Sequence, residues 1–203
     1  MSVKIIVDST TDLLPSIREQ VTVVPLTVCF GQEEFTDGVT ITHEQFYEKL
    51  VECDVLPTTS QASPAAFIRV LSETLAPGDS ALILTLSSEL SGTYQSAVIA
   101  AGEFEEVFVV DSSSVAIGTG ILTEYALECV KKGMSAKEIA EEIERKKKDV
   151  CVIAMLDTLE YLKKGGRISS TAAFAGGILN IKPVVNIENG RINDPVLCHF
   201  TQQ

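Results

Sequence analysis

The chain alternates short apolar runs with amphipathic stretches of helical period. Lys4 to Val7 predicts a short buried strand that ends in Asp8-Ser9-Thr10-Thr11-Asp12. Val21 to Phe30 is rich in Val, Thr and Leu and predicts a second strand, which Pro25 places at an edge or a bend. Thr42, with Gln45 three residues on, has the form of a capping box and opens a helix whose Phe46 and Leu50 share a face. Ser63-Pro64 is a second start signal, an N-cap followed by proline at the first helical position, with Phe67, Val70 and Leu71 as the apolar face. Pro77-Gly78 ends that helix. Ala81 to Leu86 is then continuously apolar, as a central parallel strand buried on both faces would be.

The pattern repeats downstream. The loop Ser87 to Gly92 leads into a small-residue helix through Ala97 and Ala101, and Glu106 to Val110 predicts a strand ending in Asp111-Ser112-Ser113-Ser114. The next helix carries Ile121, Leu122, Tyr125 and Leu127 and stops near Gly133. Ser135-Ala136-Lys137-Glu138 is a complete capping box for a helix with Ile139 and Ile143 inward, closed by Arg145-Lys146-Lys147-Lys148 as a solvated basic end that complements the helix dipole. Cys151 to Leu156 is apolar again. This order predicts an α/β fold over residues 1–150, a mostly parallel sheet with helices on both faces.

After residue 156 the style changes. Leu159 to Lys164 predicts a short helix ending at Gly165-Gly166, Ala172 to Gly177 is a small-residue stretch, and Pro183 to Ile192 predicts a β-hairpin turning at Asn189-Gly190. A lone hairpin is marginal in water. Residues 151–203 therefore read as the beginning of a second, incomplete α/β lobe.

Composition narrows the function. With 16 Lys and Arg against 28 Asp and Glu, the net charge is −12, a surface that repels phosphate backbones and anionic lipid. The five cysteines (29, 53, 129, 151 and 198) form no CxxC and have no histidine at ligand spacing, which suggests a reducing compartment and mostly buried thiols. Met1-Ser2-Val3-Lys4 runs straight into a strand, and no apolar run approaches the ~18 residues of a membrane span. A soluble, cytoplasmic protein is the expectation.

Hydroxyl residues cluster where chemistry could occur. Ser9-Thr10-Thr11, Thr58-Thr59-Ser60-Gln61, Ser87-Ser88 with Ser91-Gly92-Thr93, and Ser112-Ser113-Ser114 all fall at strand ends or helix starts. Ligands of open parallel sheets bind beyond the carboxyl ends of the strands, where helix N-termini offer free N–H groups and a positive dipole end. Such a site would take a carboxylate or phosphate without a cluster of Lys or Arg. Each loop taken alone is equally a set of helix caps.

Enzymatic alternatives find less support. The two histidines are His43, in the first turn of a helix, and His199, near the end of the chain, so neither a serine nor a cysteine nucleophile has an evident base. Gly118-Thr119-Gly120 is a partial dinucleotide fingerprint better explained by close helix packing. Asp8 and Asp12 could hold Mg²⁺ beside a phosphate, or simply start a helix, and Asp8 or Asp111 could serve an α/β enzyme acting on a small phosphorylated or carboxylated metabolite. Lys163-Lys164-Gly165-Gly166-Arg167 is a helix C-cap in form, and its Arg could also present a planar fork to an anion.

Taken in order, Val7-Asp8-Ser9-Thr10, Thr59-Ser60-Gln61 with Ser63, Leu90-Ser91-Gly92-Thr93-Tyr94-Gln95-Ser96-Ala97 and Lys164-Gly165-Gly166-Arg167-Ile168-Ser169 resemble the DegV family of bacterial fatty-acid-binding proteins. The resemblance implies a two-lobed protein that holds one long-chain fatty acid between its lobes and needs no cofactor. It puts the carboxylate on Thr59 and Ser91, with the N–H of Gly92 as a third donor, and Ser60, Thr93 and Arg167 either behind these groups or against a partner. It also implies a carrier and not a catalyst, which presents the acid to a separate fatty acid kinase for phospholipid synthesis. The family is expected to continue for about eighty residues past Gln203, completing the second lobe and supplying a histidine near the carboxylate. A lipid-free module that only binds a partner is the remaining alternative.

Overall fold

The computed structural model describes residues 2–53, 55–168, 181–193 and 195–199. Along the chain lie β1 (Val3–Asp8), α1 (Pro15–Arg18), β2 (Thr22–Val24), β3 (Thr27–Phe30), β4 (Glu33–Thr36), α2 (His43–Glu52), β5 (Thr58–Ser60), α3 (Pro64–Thr74) and β6 (Ser80–Thr85). They continue with α4 (Thr93–Ala101), β7 (Val107–Asp111), α5 (Ile117–Lys131), α6 (Ala136–Lys146), β8 (Val152–Met155), α7 (Glu160–Lys164), β9 (Ile181–Glu188), β10 (Arg191–Ile192) and β11 (Val196–His199).

The central sheet runs β2-β1-β6-β7, and each neighbouring pair is parallel. Its side chains alternate between two cores, which is why these strands carry almost no polar interior position. Ile5, Val7, Leu82 and Leu84 face Leu122, Ile139 and Ile143 of α5 and α6. Ile6, Ala81 and Ile83 face Phe67, Leu71, Ala97 and Ala100 of α3 and α4. The α/β fold with helices on both faces is therefore observed. The predicted start signals hold as well: Thr42 with Gln45 and Ser135 with Glu138 form reciprocal capping boxes, and Ser63 Oγ accepts from Ala66 N.

Four expectations need correction. Val21 to Phe30 is two strands, because proline at position 25 has no N–H to give a ladder. Before it, β2 joins the parallel sheet; after it, β3 leaves to become the middle of a small antiparallel sheet, β4-β3-β5. That sheet packs Val28 and Phe30 against Phe46 and Leu50 of α2. The run Cys151 to Leu156 does not extend the parallel sheet either. β8 pairs antiparallel with β9, and only alternate residues turn inward, leaving Ile153 and Met155 exposed. Apolarity marks a strand but not its partner. The basic helix end is only partly solvated: Lys147 Nζ folds back onto the Asp111 carbonyl, 3.0 Å away. Cys129 is buried, whereas Cys29 and Cys53 are half-buried and Cys151 is exposed, so the thiols described are not mostly buried.

The remaining strands form a separate sheet centred on β9, which β8, β10 and β11 all flank in antiparallel sense. Asn189 and Gly190 carry the positive φ values (51° and 79°) that the two-residue hairpin turn demands. The segment around His199 is strand β11, in backbone register with Ile181 to Val184. The stretch Ala172 to Gly177 lies outside the described residues.

Candidate functional site

The chain leaves β1 for β2 on one side and returns through β6 on the other, so the crevice between β1 and β6 is where the strand order reverses. In open parallel sheets that crevice, beyond the carboxyl ends, is the ligand position. Here it is bracketed by carboxylates. Asp8, fully buried at the end of β1, accepts from Thr10 N (3.0 Å) and Thr10 Oγ1 (2.6 Å) on one oxygen and from Leu86 N (2.7 Å) on the other. Asp111, at the end of β7, accepts from Ser113 N (2.7 Å) and from Ser88 N (3.2 Å) and Ser88 Oγ (2.6 Å). The two aspartates thus grip the same loop, 86–92, from either side. All the contacts of Asp8 are to donors, a setting for a carboxylate and not for a cation, and no group of three metal-ligating side chains occurs among the described residues.

The hydroxyl loops divide by what they do. Ser9 Oγ accepts from Leu26 N (3.0 Å), and Ser112 Oγ is spent on Ser114 and Thr119, so these two loops are structural. In the third, Ser91 is half-buried one residue before Gly92, the N-cap of α4; its Oγ lies 2.9 Å from Thr93 Oγ1 and accepts from Thr93 N. The N–H groups of this first turn have no acceptor within the helix, which makes it a natural seat for an anion. In the fourth, Thr59 sits on β5 opposite Val28, exposed, with Ser60 beside it opposite Thr27.

Two links join Thr59 to the Ser91 loop. Gln61, just past β5, donates from Nε2 to Ser96 Oγ of α4 (2.9 Å), and a Cβ on residue 92 would stand 2.0 Å from its Oε1. A side chain at position 92 would therefore have to displace the Gln61 amide from its place against Ser96. Arg167 supplies the second link, donating from Nε to the Leu90 carbonyl (3.2 Å). A cleft of about 500 Å³ opens between α2, β5 and the end of α7. Phe46, Leu50, Leu56 and Tyr161 give it an apolar wall, while Thr59, Lys164 and Arg167 supply polar groups to its lining. That volume falls in the roughly 300–1,000 Å³ range of small-molecule sites.

Sequence reasoning singled out Thr59, Ser60, Ser91, Gly92, Thr93 and Arg167; of these, Thr59 and Arg167 line the cleft, while Ser60 on β5 and Ser91, Gly92 and Thr93 on the loop before α4 lie outside its lining. It missed Gln61 as the bridge and the α2 face as the cleft wall. The signal for α2 was present, since Phe46 and Leu50 share a face, and both also line the cleft. Gly118 and Gly120, in turn, are packing glycines: a Cβ would stand 2.0 Å from Ser114 Oγ at the first and 2.1 Å from the Asp12 carbonyl at the second.

A profile described as an uncharacterised protein of the DegV family matches residues 2–196. This chain belongs to the DegV family. A DegV domain-containing protein of Deinococcus radiodurans is 39% identical over 196 residues, which cover 95% of this chain and 70% of that relative. A fatty-acid-binding DegV family protein of Thermus thermophilus superposes with a TM-score of 0.86 at 38% identity, over 98% of this chain and 72% of its own. The fatty acid kinase B3 protein of Streptococcus pneumoniae, whose structure holds linoleic acid, shares the fold with a TM-score of 0.85 at 24% identity, over 98% and 74% of the two chains. In this DegV protein, no helix among the described residues is long and apolar enough to cross a membrane.

Proposed function

We propose that this DegV protein holds one long-chain fatty acid, with its carboxylate on Thr59 Oγ1, Ser91 Oγ and the N–H of Gly92. The cleft carries the reading: it has an apolar wall and, at its polar part, the Thr59 hydroxyl with Lys164 and Arg167, and Arg167 ties it to the loop that bears Ser91 and Gly92. Burying an acyl chain contributes about 0.8 kcal/mol per CH₂. A carboxylate satisfied by hydroxyls and backbone dipoles needs no counter-charge of its own, and such charge-assisted bonds are about twice as strong as neutral ones. Ser60, Thr93 and Arg167 act behind this shell, with Arg167 also facing solvent where a partner could approach. Residues 1–150 form the first lobe and residues 151–203 belong to the second, and the acid lies where they meet. The protein is a cytoplasmic carrier, and a separate fatty acid kinase performs the chemistry on the presented carboxylate. The relative from Thermus thermophilus supports the lipid, and the partner is what the resemblance to the family implies.

Native mass spectrometry of the purified chain, followed by denaturation and identification of what is released, tests this. One adduct of fatty-acid mass per chain is expected, and it is lost in Thr59→Ala/Ser91→Ala. A cooperatively folded chain that carries no lipid and takes up no added oleate overturns the carrier reading. Unchanged oleate affinity in the double variant overturns the site.

A further inference from the structure

We infer that the hairpin tip Asn189-Gly190-Arg191 is a tether that positions Ser91, so that the second lobe sets the geometry of the carboxylate site through Ser87. This rests on the carrier reading above and assigns the residues that regulate it.

The chain of contacts is short. Ser87 is fully buried, and its Oγ donates to the Gly190 carbonyl (2.7 Å), a contact spanning 103 residues. The same Oγ accepts from Glu89 N (3.1 Å), and the Ser87 carbonyl accepts from Leu90 N (3.0 Å) and Ser91 N (3.1 Å). Ser91 therefore hangs directly on the backbone of the residue that Gly190 holds. Two residues further along the loop the grip is repeated: Arg191 reaches Glu89 Oε2 through Nε (2.7 Å) and Nη2 (2.6 Å). Arg167 takes the next carbonyl, that of Leu90. Three points of one loop are thus held by residues of the second lobe, while Asp8 and Asp111 hold its base from the first.

Gly190 is fitted to this role. Its φ of +79° is a turn requirement, but a Cβ there would also stand 2.5 Å from Ser87 Oγ, so a side chain forces either that hydroxyl away from the Gly190 carbonyl or the hairpin away from the loop. Gly133 has the same φ of +79° with nothing within 4 Å of its would-be Cβ. The pair separates backbone strain from contact. A lobe that shifts by an ångström would move Ser87 and, through it, Ser91, so opening of the lobes disturbs the seat of the carboxylate.

The test compares Gly190→Ala with Gly133→Ala by hydrogen exchange of the Ser88 to Gly92 amides in the lipid-free chain and by titration with oleate. Gly190→Ala is expected to speed loop exchange and weaken oleate binding, each about five- to tenfold, the worth of one buried hydrogen bond. Gly133→Ala should leave both unchanged. Ser87→Ala/Gly190→Ala should be no worse than the stronger single variant, because both changes break one contact. Unchanged loop exchange in Gly190→Ala overturns the tether, and faster exchange with unchanged oleate affinity overturns its positioning role. Faster exchange in a protein whose unaltered form binds no oleate leaves the tether standing and overturns the carrier reading alone.

Discussion

Two aspartates end two strands of the central sheet, each followed by serine and a second hydroxyl residue: Asp8-Ser9-Thr10 after β1 and Asp111-Ser112-Ser113 after β7. Both carboxylates accept from the backbone N–H two residues on, and both reach across to the loop after β6, the strand between them. They differ in depth. Asp8 is fully buried and closes on the main chain at Leu86, while Asp111 is half-buried and closes mainly on a hydroxyl, Ser88 Oγ. One local signature thus yields two devices of unequal weight. The buried one fixes where the loop begins, and the shallow one trims its course. Their common product is a rigid base from which Ser91 is presented.

The comparison breaks most clearly at Asp8. Asp8→Ala leaves the Leu86 N–H buried without an acceptor and frees both Thr10 donors. The expected loss is about 3 kcal/mol, since bonds to a charged acceptor are worth about 1.5–3 kcal/mol each and the Thr10 groups can turn to water. The urea midpoint reads it, and a loss below about 1 kcal/mol would place the two brackets on an equal footing. The shallow bracket has its own hard point, because Ser114 packs on Gly118 of α5. Gly118→Ala gains about 1 kcal/mol of helix propensity but overpacks the Ser114 and Val152 side chains, so a net loss of about 1–2 kcal/mol is expected by the same assay. A net gain would show that the loop after β7 can yield where the loop after β1 cannot.

Local signals were legible in the sequence and distant ones were not. The capping boxes at Thr42 and Ser135, the Ser63-Pro64 start and the Asn189-Gly190 turn depend on a few neighbouring residues, and each stands as expected. The allotment of strands to sheets depends on partners far along the chain, so neither the split at Pro25 nor the pairing of Val152–Met155 with Val184–Ile187 could be read from periodicity. The site shows the same division. Four hydroxyl loops at strand ends were visible, but caps and ligand donors share one chemistry. Only the fold shows that Ser9 is spent on Leu26 while Thr59 faces a cleft. The Gln61 to Ser96 and Ser87 to Gly190 contacts, 35 and 103 residues apart, had no local trace at all.

A gentler change sharpens the contrast. Asp111→Ala removes the acceptor for Ser88 and Ser113, groups that solvent can reach, so about 1 kcal/mol of stability is expected to go. Its larger consequence should be local, with the Ser88 amide exchanging faster while the midpoint moves less than it does in Asp8→Ala. A loss as great as that of Asp8→Ala would mean that burial does not set the difference.

The last distinction is electrostatic and appears as a slope with pH. Burial pushes the Asp8 carboxyl above its ordinary range; its bonds from Thr10 and Leu86 pull it down without cancelling that push, and Asp37 adds a smaller rise. A folded pKa above the unfolded one means that the folded state holds the proton more tightly. The contribution of Asp8 to stability therefore falls as pH rises from the ordinary carboxylate range through the raised folded value, and levels off beyond it. Asp8→Asn cannot titrate, so subtracting its urea midpoints from those of the unaltered protein isolates the effect and cancels every other group. The difference should move in favour of the unaltered protein as the pH is lowered from about 7 toward about 4. Movement the other way would mean that three hydrogen bonds outweigh burial, and that the bracket is stabilised by its charge where it is now expected to be strained by it.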